Sequence, residues 1–238
     1  MKKEELVKLQ GIIKNYQCTR AEACFVFTET EKHRMGVVAI AAAVAGLSGP
    51  AISTASNTSS IEEEADYVEF DLNGNQIKGW VWRSPFKEGD RVIVAAEWRN
   101  DHYEAAGIAR PSDRIIALYP HCSRGISRHL KKVTAWWVFG VGLFLLLQLL
   151  LMLIVGGADT VFEMLSSGFH FVAIACYAFF GLMTFSLARK WMPFVRLAEK
   201  VFRTLGSSDP ESVDLVKSSK SQRKPEDPGE LGTFYFRY

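Results

Sequence analysis

Between Trp136 and Val155 the chain runs for 20 residues, WWVFGVGLFLLLQLLLMLIV, without a formal charge, and Gln148 is its one strongly polar side chain. At about 1.5 Å of rise per residue such a helix covers roughly the 30 Å hydrocarbon core of a bilayer, whereas a helix of a soluble protein is rarely apolar on every face. A second uncharged run of 20 residues follows, Phe169 to Ala188. The two read as transmembrane helices 136–155 and 169–188, paired as a hairpin.

Charge orients the hairpin. The 13-residue link 156–168 carries Asp159 and Glu163 but no Lys or Arg, while Arg124, Arg128, Lys131 and Lys132 precede the first span and Arg189, Lys190 and Arg196 follow the second. Cationic flanks stay on the cytoplasmic side, so both termini are expected in the cytoplasm and the link outside. Residues 1–123 are net −3 and residues 124–238 net +5. That excess suits anionic lipid headgroups better than nucleic acid, which would ask for a basic face on the folded domain. The start, MKKEELVKLQ, continues into acids and so does not read as a secretory signal. Cys18, Cys24, Cys122 and Cys176 show no CxxC spacing and are expected as free thiols.

Residues 1–120 read as a soluble β-rich domain. Leu9 to Tyr16 and Ala23 to Phe27 suggest two short strands turned by CTRAE. Met35 to Ile52 is apolar but made of small residues, and two readings stand: a soluble or interfacial Ala/Gly-rich helix inserted in the domain, or a membrane-active, re-entrant helical pair. Ser59 with Glu62 matches a capping box for a short acidic helix through Ala65. From Tyr67 the pattern is β: YVEFDL and IKGWVWR flank the Asn73-Gly74 turn, then RVIVAAEW, YEAAGIAR and RIIALYPH follow at short, even spacing. The fold class is therefore α+β, a small barrel of the OB or SH3-like kind followed by the hairpin. Residues 121–135 read as a basic juxtamembrane linker, 189–206 as a basic amphipathic helix lying on the membrane surface, and 207–238 as a flexible tail with an aromatic end, TFYFRY, expected to dock back or bind a partner.

Chemistry is sparse. His33, His102, His121, His129 and His170 are scattered, and no phosphate loop, G-x-S-x-G or H-E-x-x-H occurs. Ser127 and His129, two apart on a helix, point away from each other. The expectation is a protein that is not an enzyme and carries no cofactor or metal. Trp80 and Trp82 alternate onto one strand face and with Arg83 and Arg99 could compose a nucleic-acid-binding surface, yet two tryptophans there are more often core or interface filler and the domain is net acidic, so nucleic acid is not expected as a partner. Residues placed where a partner or the membrane can act are Trp80, Trp82, Arg83 and Phe86 on the barrel; His121, Arg124, Arg128, Lys131 and Lys132 at the juncture; and Phe234, Tyr235, Phe236 and Tyr238 at the end. In the spans, Gly140, Gly142 and Gly181 mark close-contact points.

The blocks DYVEFDLNGNQIKGWVWRSPFKEGDRV and ARPSDRIIALYPHCSRG, with AAAVAGLSGPA before them, resemble a family of small bacterial membrane proteins catalogued as candidate type VI secretion system effectors. The likeness covers roughly residues 9–190. It implies residence in the inner membrane of Gram-negative bacteria and transfers no catalytic residue. Three functions compete under it: a membrane-perturbing or pore-forming effector, an immunity protein that binds a cognate toxin, and an accessory membrane scaffold. The expected partners are the lipid bilayer, one of those proteins or a secretion component, and further copies of the chain.

Overall fold

The computed structural model describes residues 6–23 and 63–238. Strands β1 (Val7–Ala23), β2 (Glu63–Leu72), β3 (Asn75–Val81), β4 (Arg91–Trp98), β5 (Tyr103–Arg110) and β6 (Ile115–Leu118) precede two long helices, α1 (Ile126–Ser166) and α2 (Phe169–Leu205). A 3₁₀ turn (Pro210–Ser212), α3 (Leu215–Ser221) and β7 (Phe236–Arg237) complete the chain. The described residues up to Arg128 together with Lys190–Tyr238 form one compact unit, and His129–Arg189 form another.

The barrel depends on a bend in β1. Its first half pairs with β4, from Val7↔Ala96 to Ile12↔Arg91, and its second half with β2, ending at Ala23↔Glu63. Between them the register shifts at Lys14/Gln17, where Asn15 takes a positive φ of 53°. A bulge frees backbone groups and turns the strand. Glu88 accepts from the freed amides of Asn15 and Tyr16 at 3.1 and 2.8 Å. β2 and β3 are joined through Asn73 and Gly74, both at positive φ as a tight hairpin requires. A parallel contact of β3 with β5, Ile77↔Tyr103 and Lys78↔Glu104, closes β3-β2-β1-β4-β5 into a small five-stranded mixed barrel, and β6 and β7 extend the sheet beyond β5.

Two sequence expectations fail here for one reason. CTRAE is not a turn but part of β1, and Glu63 to Ala65 are not helix but the start of β2. These two polar stretches pair with each other, Arg20↔Asp66 and Ala21↔Ala65, and the Arg20 Nε donates to Asp66 at 3.0 Å. Cross-strand pairing outweighs the local preference of each segment. The helix expected over Met35–Ile52 and the capping box at Ser59 lie outside the described residues.

Strands β4 to β6 are buried on both faces. Val92, Val94, Ala96, Ala105, Ile108, Ile115 and Ala117 fill the barrel with Ile13, Val68, Leu72 and Ile77. The opposite face, Ala95, Ala106, Ala109, Ile116 and Leu118, packs against Phe194, Leu197, Ala198, Val201 and Phe202 of α2. The basic amphipathic segment thus spends its apolar face on the sheet rather than on a lipid surface, and α2 runs through Pro193. Its approach needs small residues: a Cβ on Gly107 would stand 2.6 Å from Val201 Cγ1. The domain expected to end at residue 120 is therefore completed by the residues after the hairpin.

The tail is folded where its composition suggested flexibility. Asp214 caps α3 by accepting from Lys217 N at 3.0 Å. Ser219, almost fully buried, accepts from Arg237 N at 2.8 Å, and Arg237 grips Asp227 through two bonds of 2.8 and 2.9 Å. Phe236 pairs with Ile116 in β7, while Leu231 and Tyr235 enter the barrel core. Four buried apolar residues, Leu215, Leu231, Tyr235 and Phe236, hold this segment with Val213, Val216 and Tyr238 packed partly beside them, too few to alter its average composition.

In the second unit the expected link 156–168 is largely helical. α1 breaks only at Gly157 (φ 77°, ψ 179°), continues to Ser166, and turns at Ser167 and Gly168. The expected linker 121–135 is helical from Ile126. Helices α1 and α2 pack as a hairpin: Trp137 Nε1 donates to the Tyr177 carbonyl at 3.1 Å, and Tyr177 Oη donates to the Val138 carbonyl at 3.3 Å. Glycine admits these rings, since a Cβ on Gly181 would lie 3.1 Å from the Trp137 ring and one on Gly142 3.2 Å from Tyr177 Oη. Gly140 faces open space.

Replacing Gly107 with Ala should destabilise the first unit by about 1–3 kcal/mol through overpacking, and adding Val201→Ala should restore part of the loss. Thermal unfolding of the full chain in detergent checks both; equal stability of Gly107→Ala and wild type contradicts the packing.

Candidate functional site

The turn between β6 and α1 carries His121, whose positive φ of 68° is uncommon for a side chain with a Cβ. Its ring lies among aromatics from three segments. Centroids are 4.9 Å from Trp82, 4.9 Å from Trp191 and 5.7 Å from Phe194, and Phe234 meets Trp82 edge-on at 5.5 Å. The imidazole Nε2 stands 3.0 Å from a Glu63 carboxylate oxygen. Burial pushes the His121 pKa below its ordinary value, with Glu63 acting in the opposite direction.

Beside this box Arg83 is buried. Its guanidinium donates to the Glu64 carboxylate at 2.8 Å and to the Glu64 carbonyl at 3.1 Å, lies 3.8 Å from Asp66 and 3.9 Å from Glu230, and covers the Phe234 ring at 5.2 Å. Asp66 in turn accepts from the Ser84 amide at 2.9 Å. The charge is shared among carboxylates, so Arg83 holds the C-terminal segment to β2 rather than waiting for an external anion.

The structure gathers four of the sequence-chosen residues, Trp82, Arg83, His121 and Phe234, into one cluster. The others are elsewhere. The Trp80 ring lies tilted against Tyr67 with centroids 5.0 Å apart, so the two tryptophans have different ring neighbours. Phe86 and Tyr235 lie in the barrel core, with Arg110 over the Phe86 ring. Phe236 lies between sheet and α2, and Tyr238 under the Arg114 guanidinium. Arg124 pairs with Asp214 at 3.3 Å and Arg128 Nε donates to the Ser212 carbonyl at 3.0 Å, so both bind the tail rather than lipid. Lys131 and Lys132 belong to the second unit and are exposed.

Sequence reasoning did not find Glu63, Glu64, Glu230 or Glu199. The last accepts from the Ile126 amide at 2.7 Å, satisfying an orphan donor at the start of α1. Two acids in the segment assigned to a helix hid the first pair, and nothing local marks Glu230 or Glu199. Trp191 and Phe194 were visible only as apolar positions of an amphipathic stretch.

The cluster ties separate segments of the first unit together. It binds the start of β2, the segment after β3, the post-β6 turn, α2 and the C-terminus. Neighbouring Cys122 is fully enclosed, and burial raises its pKa, which disfavours the thiolate a nucleophile requires. Among the described residues no three His, Cys, Asp or Glu side chains converge on a point where a metal would sit. A cavity of about 380 Å³ lies between the outer sheet face and the tail, lined by Ile93, Ile116, Phe202, Leu205, Val213 and Tyr238 among others.

Comparison of the chain with protein-family models, with curated proteins and with solved structures gave no match.

A histidine held below its ordinary pKa gives stability that is complete above pH 6.5 and is lost as pH falls below it, because protonation is easier in the unfolded chain. As pH falls below 6.5 the melting temperature of the wild-type chain should drop more steeply than that of His121→Gln. Parallel curves for the two proteins contradict this reading of the site.

Proposed function

We propose that the chain is a non-enzymatic, multi-pass protein of the bacterial inner membrane whose barrel is held at the cytoplasmic face by the α1–α2 hairpin. The observation that carries this reading is exposure. Both helices exceed the length of a span, and only 6% of the most apolar window of each is buried. An apolar helix left bare in water would be a severe aggregation hazard, whereas in a bilayer that surface is the one required. Arg128 and Lys190, the residues that border the inserted hairpin, belong to the same compact unit, which favours one membrane face for both ends. The uncharged spans, the acids Asp159 and Glu163 at the far end and the exposed Lys131, Lys132 and Arg189 at the near end favour the cytoplasmic face for that unit. The shared strand β1 and the parallel β3–β5 closure fit a barrel of the OB type.

Within the type VI secretion setting suggested by the resemblance, the chain acts on the membrane as an effector that perturbs it. One hairpin without an ionisable group at mid-depth offers no ion path, so permeation needs several copies. A second reading, an immunity protein or scaffold, draws on the joint at His121, which ties the barrel to α2 and suits a domain that docks a protein partner and holds it at the membrane.

Membrane potential separates the two. Expression of the full chain from a tight promoter should depolarise cells, as reported by a potential-sensitive dye. Normal potential and growth with the chain present in the membrane fraction would overturn the effector reading and leave the immunity or scaffold one.

A further inference from the structure

Gln148 stands inside the apolar run Trp136–Val155, about 4 Å from its centre by helical rise. Its side chain is exposed, and no described residue hydrogen-bonds to it. None of the polar contacts that join α1 to α2, from Ile126, Trp137 and Tyr177, reaches it. In water an exposed amide is ordinary. In hydrocarbon the described residues leave it nothing to donate to or accept from, and lipid tails cannot supply a partner.

We infer that Gln148 is the contact point of a second copy of this chain, packed side by side in the same orientation. The argument is one of depth and chemistry. A partner must present a donor and an acceptor at the same level of the bilayer, and a copy inserted in the same sense does so automatically. A carboxamide carries two N–H donors and a carbonyl acceptor, so two glutamines related by an axis along the membrane normal satisfy each other. On the helix surface, Leu151, Met152 and Val155 lie within about 60° of Gln148 at 100° per residue, and they are 57%, 39% and 80% exposed. Nearer the start of α1 the same face carries Val141, Phe144 and Leu145, where Val141 and Leu145 are buried and Phe144 meets Phe180 of α2 edge-on at 6.0 Å, so a partner helix closes on the part of the face beyond them. Leu146 and Leu150 lie on the far side of α1 and remain for lipid.

This inference rests on the membrane reading of the hairpin, and the experiment separates the two. The full chain, labelled in two batches with a donor and an acceptor dye at its N-terminus, is reconstituted into phospholipid vesicles over a range of protein-to-lipid ratios. Floated vesicles are measured for energy transfer. Wild type and Gln148→Asn should show transfer at dilutions where Gln148→Leu shows none, the midpoint moving roughly tenfold. Leucine is at home in lipid, so this variant does not threaten insertion, and its flotation with the vesicles verifies it. Equal dilution curves for wild type and Gln148→Leu, or absence of transfer in floated wild type at every dilution, overturn the contact. A wild-type chain that fails to float overturns the membrane reading itself, and the inference with it.

Discussion

Over Gly107 the outer face of the sheet has no side chain, and Val201 of α2 occupies the space. The rest of the molecule depends on that contact. It lets the last turns of a 37-residue helix lie on β4, β5 and β6, so that one helix is at once the second arm of an apolar hairpin and the layer that covers the outer sheet face. Burial of Phe194, Leu197, Val201 and Phe202 supplies several kcal/mol by the usual scale for apolar side chains, enough to fix the domain end of α2. Once that end is fixed, the tail that follows is carried back to β6, where Phe236 pairs with Ile116.

Charge reinforces the same closure without large energies. Arg83, Arg124 and Arg128 each reach an acid or carbonyl from another segment, Arg237 reaches Asp227 within the tail, and Glu199 meets the first amide of α1. Breaking any one of the buried contacts leaves a desolvated charge, which costs more than the pair contributes. The consequence is specificity of docking: the tail has one register in which its arginine and its serine are both satisfied.

Some of this was legible in the chain and some was not. The hairpin of β2 and β3 followed from Asn73-Gly74, and the two apolar helices from runs that no soluble pattern explains. The strands β4 to β6 were found, but their second buried face was hidden, because RVIVAAEW reads alike with one layer beside it or two. The continuity of β1 was hidden by polar residues whose partners are 40 or more positions away, as Arg20 and Asp66 are. Of the candidate site, the rings Trp82 and Phe234 and the imidazole His121 were visible as unusual residues, while their acids were not, since long-range ion pairs leave no local periodicity. The chosen arginines Arg124 and Arg128 illustrate the converse: basic residues before a span suggest headgroups, yet tertiary partners hold these two.

The account stands on the placement of the hairpin with both ends on one side of a bilayer. Single cysteines at Ser166, in the far turn of the hairpin, and at Ser221, at the end of α3, in a chain whose native cysteines are replaced, test it with a membrane-impermeant thiol reagent on intact cells. The account predicts labelling of Ser166→Cys in intact cells and of Ser221→Cys only after permeabilisation. Labelling of both positions in intact cells, or of Ser221→Cys alone, would contradict it.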